Sequence, residues 1–120
     1  MRLEARKYLY DIQEAAGLAS QFTAGKSFAN YQQDAMLRMA VERAFAIIGE
    51  ALAQLARVDA ALAAKITDFR SIVAFRNILV HAYAQVDERI VWDIVQSKLP
   101  ILVREVAALM DEGTRPIESS

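Results

Sequence analysis

The stretch Arg76-Asn77-Ile78-Leu79-Val80-His81-Ala82-Tyr83-Ala84-Gln85-Val86-Asp87 decides how the rest of the chain is read. It holds the protein's single histidine, with an arginine upstream, a tyrosine just downstream and an aspartate suited to starting another helix. Ile78, Leu79 and Val80 separate Arg76 from His81, so the polar groups lie at or beside a buried surface. Burying a guanidinium or an imidazole costs several kcal/mol unless each finds a partner, so these residues call for a role. At roughly 100° per residue, Ile72, Arg76, Val80 and Tyr83 share one helical face, with Phe69 and Leu79 at its edge. His81 then lies about 140° around the helix from Arg76. Three routes bring the two together: a helix that frays near His81, an arginine that reaches across, or a second copy that supplies the missing half. A histidine at a helix C-terminus also serves simply as a cap, favoured by the dipole and bonded to a last carbonyl. Position alone leaves that alternative open.

Outward from this stretch the periodicity is helical. Thr67 or Asp68 caps the helix that runs to about His81, with Phe69, Ile72, Val73 and Leu79 as its core positions. Asp87 caps the next helix, which carries Ile90, Val91, Trp92 and Ile94, with Trp92 as a packing anchor. Pro100 fits the first turn of a last helix, where its missing N–H does no harm. Leu102, Val103, Val106, Ala107 and Met110 continue the core along that helix, and Gly113 ends it.

Towards the N-terminus, a first helix spans about Leu3 to Phe22, with Tyr8, Ile12, Ala15, Ala16, Ala19 and Phe22 inward. Gly25 punctuates its end and Ser27 caps a long helix from Phe28 to about Leu55 or Arg57. Leu37, Val41, Ala44, Ile48, Ala51, Leu52 and Leu55 form the apolar stripe, with Arg43, Glu50, Gln54 and Arg57 on the opposite, solvated face. Asp34, Arg38 and Glu42 make a polar row between them. As a surface ladder, that row is worth a few tenths of a kcal/mol per pair. Alternatively, Glu42 or Asp34 faces Arg76 and orients its guanidinium. Gly49 would permit close approach of another helix. Val58 to Lys65 either continues the long helix or forms a short one after Asp59.

No alternation bounded by hairpin turns suggests strands. The expected fold is all-α, an up-and-down bundle of four or five helices. It forms a single domain over residues 1–112, followed by a loose polar tail over residues 113–120.

Composition narrows the function. The 120 residues are 55% hydrophobic, ample for one core and far from a disordered composition. With no cysteine and one histidine, disulfides and thiolate metal sites are excluded and a zinc centre is disfavoured. The expectation is therefore no metal and no cofactor. No apolar run approaches a membrane span and the N-terminus does not read as a secretory signal, so a cytoplasmic protein is expected. A net charge of -1 gives no global attraction for nucleic acid. Any RNA contact must come from a local basic patch, assembled by one chain or two.

Arg76-x4-His81-x-Tyr83 resembles the motif of HEPN-domain proteins, specifically their HepT-like toxin branch. Asp34-Ala35-x-x-Arg38-x-x-x-Glu42 and Ile48-Gly49-Glu50-Ala51 resemble that branch's second helix. Arg76-Asn77-x-Leu79-Val80-His81-x-Tyr83-x-x-Val86-Asp87, Val91-Trp92-x-Ile94 and Leu99-Pro100 resemble its third and fourth. The ordered set covers roughly Leu3 to Leu109 and is far more specific than Arg-x4-His alone. The resemblance implies a HEPN-like bundle that dimerises around the Arg-x4-His helix. It implies a metal-independent endoribonuclease toxin, with Arg76 and His81 catalytic and Asn77, Glu42 and Asp34 in support.

In this reading His81 moves a proton and Arg76 holds the scissile phosphate of RNA. One histidine does not readily act as both base and acid in one step. A homodimer with two His81 side chains facing one cleft removes that shortage. For Tyr83 the resemblance implies adenylylation by a cognate minimal nucleotidyltransferase antitoxin, which would set charge and bulk beside Arg76 and block RNA. The alternative is a non-catalytic helical subunit that binds nucleotide or substrate for a nucleotidyltransferase complex.

Overall fold

The structure is a computed structural model that describes residues 1–82, 84 and 86–114. Among them there is no strand. Seven helical segments follow one another: α1 Leu3–Thr23, α2 Phe28–Gln33, α3 Ala35–Val58, α4 Ala60–Ala63, α5 Phe69–His81, α6 Glu88–Ser97 and α7 Leu99–Thr114. Two are single-turn pieces in effect, so five principal helices make the all-α bundle that the periodicity implies. α1 packs against α3 and α7, α3 against α5, and α6 against α7. No helix among the described residues is long and apolar enough to cross a membrane.

Local chemistry accounts for most of the boundaries. Ser27 begins α2 through a capping box: its hydroxyl accepts from the Asn30 N–H, and the Asn30 side chain accepts from the Ser27 N–H. Asp59 separates α3 from α4, its carboxylate accepting from the Leu62 N–H at 3.0 Å. Asp87 does the same for α6 through Arg89 N–H at 2.8 Å. Pro100 lies in the first turn of α7, as expected.

Several expectations need correction. The long helix from Phe28 is broken at Asp34, which has left helical geometry and caps α3 through the Leu37 N–H at 3.0 Å. A carboxylate competing for backbone donors outweighed continuous periodicity. Asp68 precedes α5 but makes no side-chain cap; its backbone is left-handed, φ 60°, and its carboxylate meets Lys98 instead. Thr67 donates from both its N–H and its hydroxyl to Glu105 of α7. The inner face of α1 is Ala5, Leu9, Ile12, Ala15, Ala16 and Ala19, whereas Phe22 is exposed. Ile90, Val80 and Ala107 are likewise exposed. Gly113 does not stop α7, which continues through Thr114. Residues 115–120 of the expected tail lie outside the described residues.

The core runs the length of α3. Leu37, Val41, Ala44, Ile48, Ala51, Leu52 and Leu55 are buried as expected, joined by Phe45, which sits edge-on to Phe75 of α5. Trp92 stacks obliquely on Tyr31, ring centres 5.3 Å apart, fastening α6 to α2. The α3–α5 seam closes at Gly49. A Cβ there would fall 2.1 Å from Arg76 Cβ and 3.3 Å from the Ile72 carbonyl oxygen. Only glycine permits this approach, and the approach sets Arg76 against α3.

Candidate active site around Arg76

The buried stripe of α5 is Ile72, Phe75 and Leu79, so Arg76 stands on its flank rather than inside it. Its stem lies over Gly49 and its guanidinium turns along the surface of α3. There Nη2 meets Glu50 Oε2 at 2.7 Å, and Nη1 donates to Asn77 Oδ1 at 2.9 Å. Gln54, one turn further along α3, donates to the other Glu50 oxygen at 3.1 Å. A guanidinium carries five N–H donors. Each terminal nitrogen of Arg76 therefore keeps a second hydrogen for an anion. Nε is buried and has no hydrogen-bond partner, a cost of order 1–3 kcal/mol that ordinary packing avoids.

A cleft of about 250 Å³ opens beside this pair. Tyr8 and Asp11 of α1 form one wall, Arg43, Glu50 and Gln54 of α3 the other, and Arg76 and Val80 of α5 close one end. Glu50 and Arg43 are on the solvated side of α3 as expected, with Gln54 half-buried, and that same side borders the cleft beside the arginine. The carboxylate expected from Glu42 or Asp34 is thus supplied by Glu50. The signal for it was present in Ile48-Gly49-Glu50-Ala51: the glycine that admits α5 precedes the glutamate that meets it.

Asp34 is committed to capping α3. Glu42 belongs to a second polar cluster. Arg38 Nε lies 3.5 Å from Glu88 at the head of α6, and its Nη1 donates to the Gln32 carbonyl at the end of α2. Burial chiefly, then the carboxylate of Glu88, pushes the Glu42 carboxyl above its ordinary range, while Arg38 pulls it down. Tyr31, fully buried and with an unpartnered hydroxyl, has its phenol pushed up by burial first and then by Glu42 and Glu88. Tyr31 carried no sequence signal.

His81 is the last residue of α5 and exposed. The helix does not fray before it, since the Ala82 N–H still bonds to the Ile78 carbonyl at 2.9 Å. Its imidazole has no hydrogen bond or ion pair to a described residue and does not line the Arg76 cleft. Among the described residues no carbonyl accepts from it, so the alternative of a simple cap finds no bond there. Ile78 and Val80, either side of Leu79, are 47% and 43% exposed, so the surface next to His81 is apolar and uncovered. Asn77 touches Arg76 rather than His81. Tyr83 lies outside the described residues.

Comparison with known proteins gives a consistent picture. Residues 12–109 match the family described as Ribonuclease HepT-like. A candidate RNase of Methanocaldococcus jannaschii, MJ1380, is 33% identical over 86% of this chain and 94% of its own. A candidate HepT ribonuclease of Thermococcus cleftensis is 35% identical over 85% of this chain and 92% of its own. A candidate RNase of Caldanaerobacter subterraneus, TTE0752, is 28% identical over 89% and 95%. No solved structure matches the chain at a significant level.

Proposed function

The chain belongs to the ribonuclease HepT-like family, and from that premise we propose that it is a metal-independent endoribonuclease whose active groove is built by two copies. Arg76 holds the scissile phosphate and stabilises the charge that grows on it. His81 takes the proton of the ribose 2′-OH as that oxygen attacks phosphorus. A second imidazole returns a proton to the departing 5′-oxygen, leaving a cyclic phosphate and a free 5′-hydroxyl.

The observation that carries the two-copy reading is the separation of the two groups along one intact helix. Arg76 is turned to Glu50 and the cleft, while α5 continues through His81 and leaves it outside the lining. Fraying and reaching across are thus disfavoured, and a partner copy is the remaining route. The exposed Ile78 and Val80 supply apolar surface for pairing around α5. Glu50 and Asn77 orient the guanidinium, roles first expected of Glu42 and Asp34.

The family supports a toxin-like role. In the finer reading the chain is the toxin of a toxin–antitoxin pair, neutralised when a cognate minimal nucleotidyltransferase adenylylates Tyr83. A phosphodiester there would add negative charge and bulk near the phosphate site.

Incubating RNA with the protein in the presence of a chelator tests the activity. Wild type should cut it and leave cyclic phosphate ends, whereas Arg76→Ala and His81→Ala should not. Equal cutting by all three would refute the assignment. Uncut RNA throughout would favour the non-catalytic subunit.

A further inference from the structure

Arg43 shares the cleft with Arg76. It stands exposed on α3 and has no ion pair, hydrogen bond or aromatic contact to a described residue. Several other arginines are occupied: Arg38 by Glu88, Arg89 over the Phe28 ring, and Arg2 by the Val58 carbonyl. Of the two carboxylates in the cleft, Glu50 is already held by Arg76 and Gln54. Asp11, across the cleft on α1, makes no ion pair with Arg43. The cleft thus carries two guanidiniums and two carboxylates, of which only Arg76 and Glu50 are paired with each other, and the Arg43 guanidinium keeps its donors for an anion.

Arg43 and Glu50 are seven residues apart on α3, about 10 Å along the axis. Arg43 therefore enters the cleft about two helical turns along α3 from the place where Arg76 meets Glu50. We infer that Arg43 binds a second phosphate of the RNA strand, next to the one held at Arg76, and so sets the path of the substrate across α3. This rests on the ribonuclease reading and extends it with a binding residue outside the Arg-x4-His motif. The same side chain also borders an apolar groove between α1 and α3, lined by Leu18, Phe22, Ala40 and Ile47. Pairing of two copies through that groove would bury Arg43 and deny it to RNA.

The test uses labelled single-stranded RNA in the His81→Ala background, so that the probe survives. Adding Arg43→Gln should weaken binding roughly threefold to tenfold and lower the slope of log affinity against log salt by about 0.7, one phosphate contact on a single strand. Arg43→Lys should restore the slope. Melting temperature and oligomeric state should match the parent. An unchanged affinity and slope would overturn the assignment, as would a loss that tracks an altered oligomeric state. In the otherwise wild-type enzyme, Arg43→Gln should raise KM with kcat nearly constant. If wild type cuts RNA and Arg43→Gln does so with the same KM, the second phosphate site alone is wrong. If wild type neither binds nor cuts RNA, the ribonuclease reading falls with it.

Discussion

The Arg76 corner and the Arg38 corner are both arginine–glutamate pairs built on α3, yet they end in different physical situations. Arg76 meets Glu50 at 2.7 Å beside an open cleft, with an unbonded Nε and donors to spare. Arg38 meets Glu88 at 3.5 Å and also the end of α2, next to a sealed Tyr31 stacked on Trp92. One corner leaves chemistry accessible to a ligand; the other ties three helices together. Pairing alone therefore says little about role. What distinguishes the two is the space beside the pair and the donors left unused.

The widest separation between the corners should come from truncating each arginine. Arg76→Ala is expected to lower RNA cleavage by at least about 100-fold, the usual cost of losing a charge-stabilising donor. Arg38→Ala should leave the rate within about threefold and remove of order 1 kcal/mol of stability. Initial rates and urea midpoints measured together decide this; a similar rate loss in both would erase the contrast.

Two mid-helix glycines sharpen it next. Gly49→Ala should destabilise by about 1–3 kcal/mol, because the new Cβ collides with the Arg76 stem and α5 must move. At Gly17 of α1 an added methyl would meet nothing within 4 Å, so Gly17→Ala should stabilise by up to about 1 kcal/mol through helix propensity. Denaturant midpoints shifted in opposite directions are the expected result.

Glu50→Gln keeps the shape of the cleft but removes the charge that aligns Arg76. It should cost about tenfold in kcat with the melting temperature nearly unchanged.

The smallest effect belongs to the closed corner. Burial raises the Glu42 carboxyl above its ordinary range, so the folded chain holds that proton more tightly than the unfolded chain. Its contribution to stability is present below the ordinary carboxylate pKa and is lost as pH rises through the raised value. Glu42→Gln should therefore stabilise by a few tenths of a kcal/mol near about pH 7, after solvent screening, with no gain near about pH 4. Chemical denaturation at the two pH values checks the sign.

Much of this was legible in the residues. The α3 stripe, the caps at Ser27 and Asp87 and the place of Pro100 follow from local rules that tertiary packing did not override. Gly49 as a point of close approach was readable because a glycine in a strongly periodic helix has a packing reason. The helix break at Asp34 was hidden, since the apolar rhythm continues across it and the break shows only in the carboxylate's bond to Leu37 N–H, which starts α3 afresh. The partner of Arg76 was only half legible: Gly49 marks the close approach, but not that the guanidinium turns to the neighbouring Glu50. A wheel drawn on one helix puts Glu50 opposite the stripe, where it is exposed, and it is the Arg76 side chain, its stem over Gly49, that reaches round to it. Phe22 was misread for a similar reason: periodicity allowed two neighbouring stripes on α1, and packing on α3 and α7 chose the one with Leu9.

The claim that most needs testing is that both imidazoles of a pair act in one groove. Titrating His81→Ala into wild type at fixed total protein, after allowing copies to exchange, measures it directly. If both are required, cleavage should fall as the square of the wild-type fraction, to about a quarter at equal mixing. A linear fall, to about half at equal mixing, would mean that each copy carries out the reaction with its own histidine and would contradict the account.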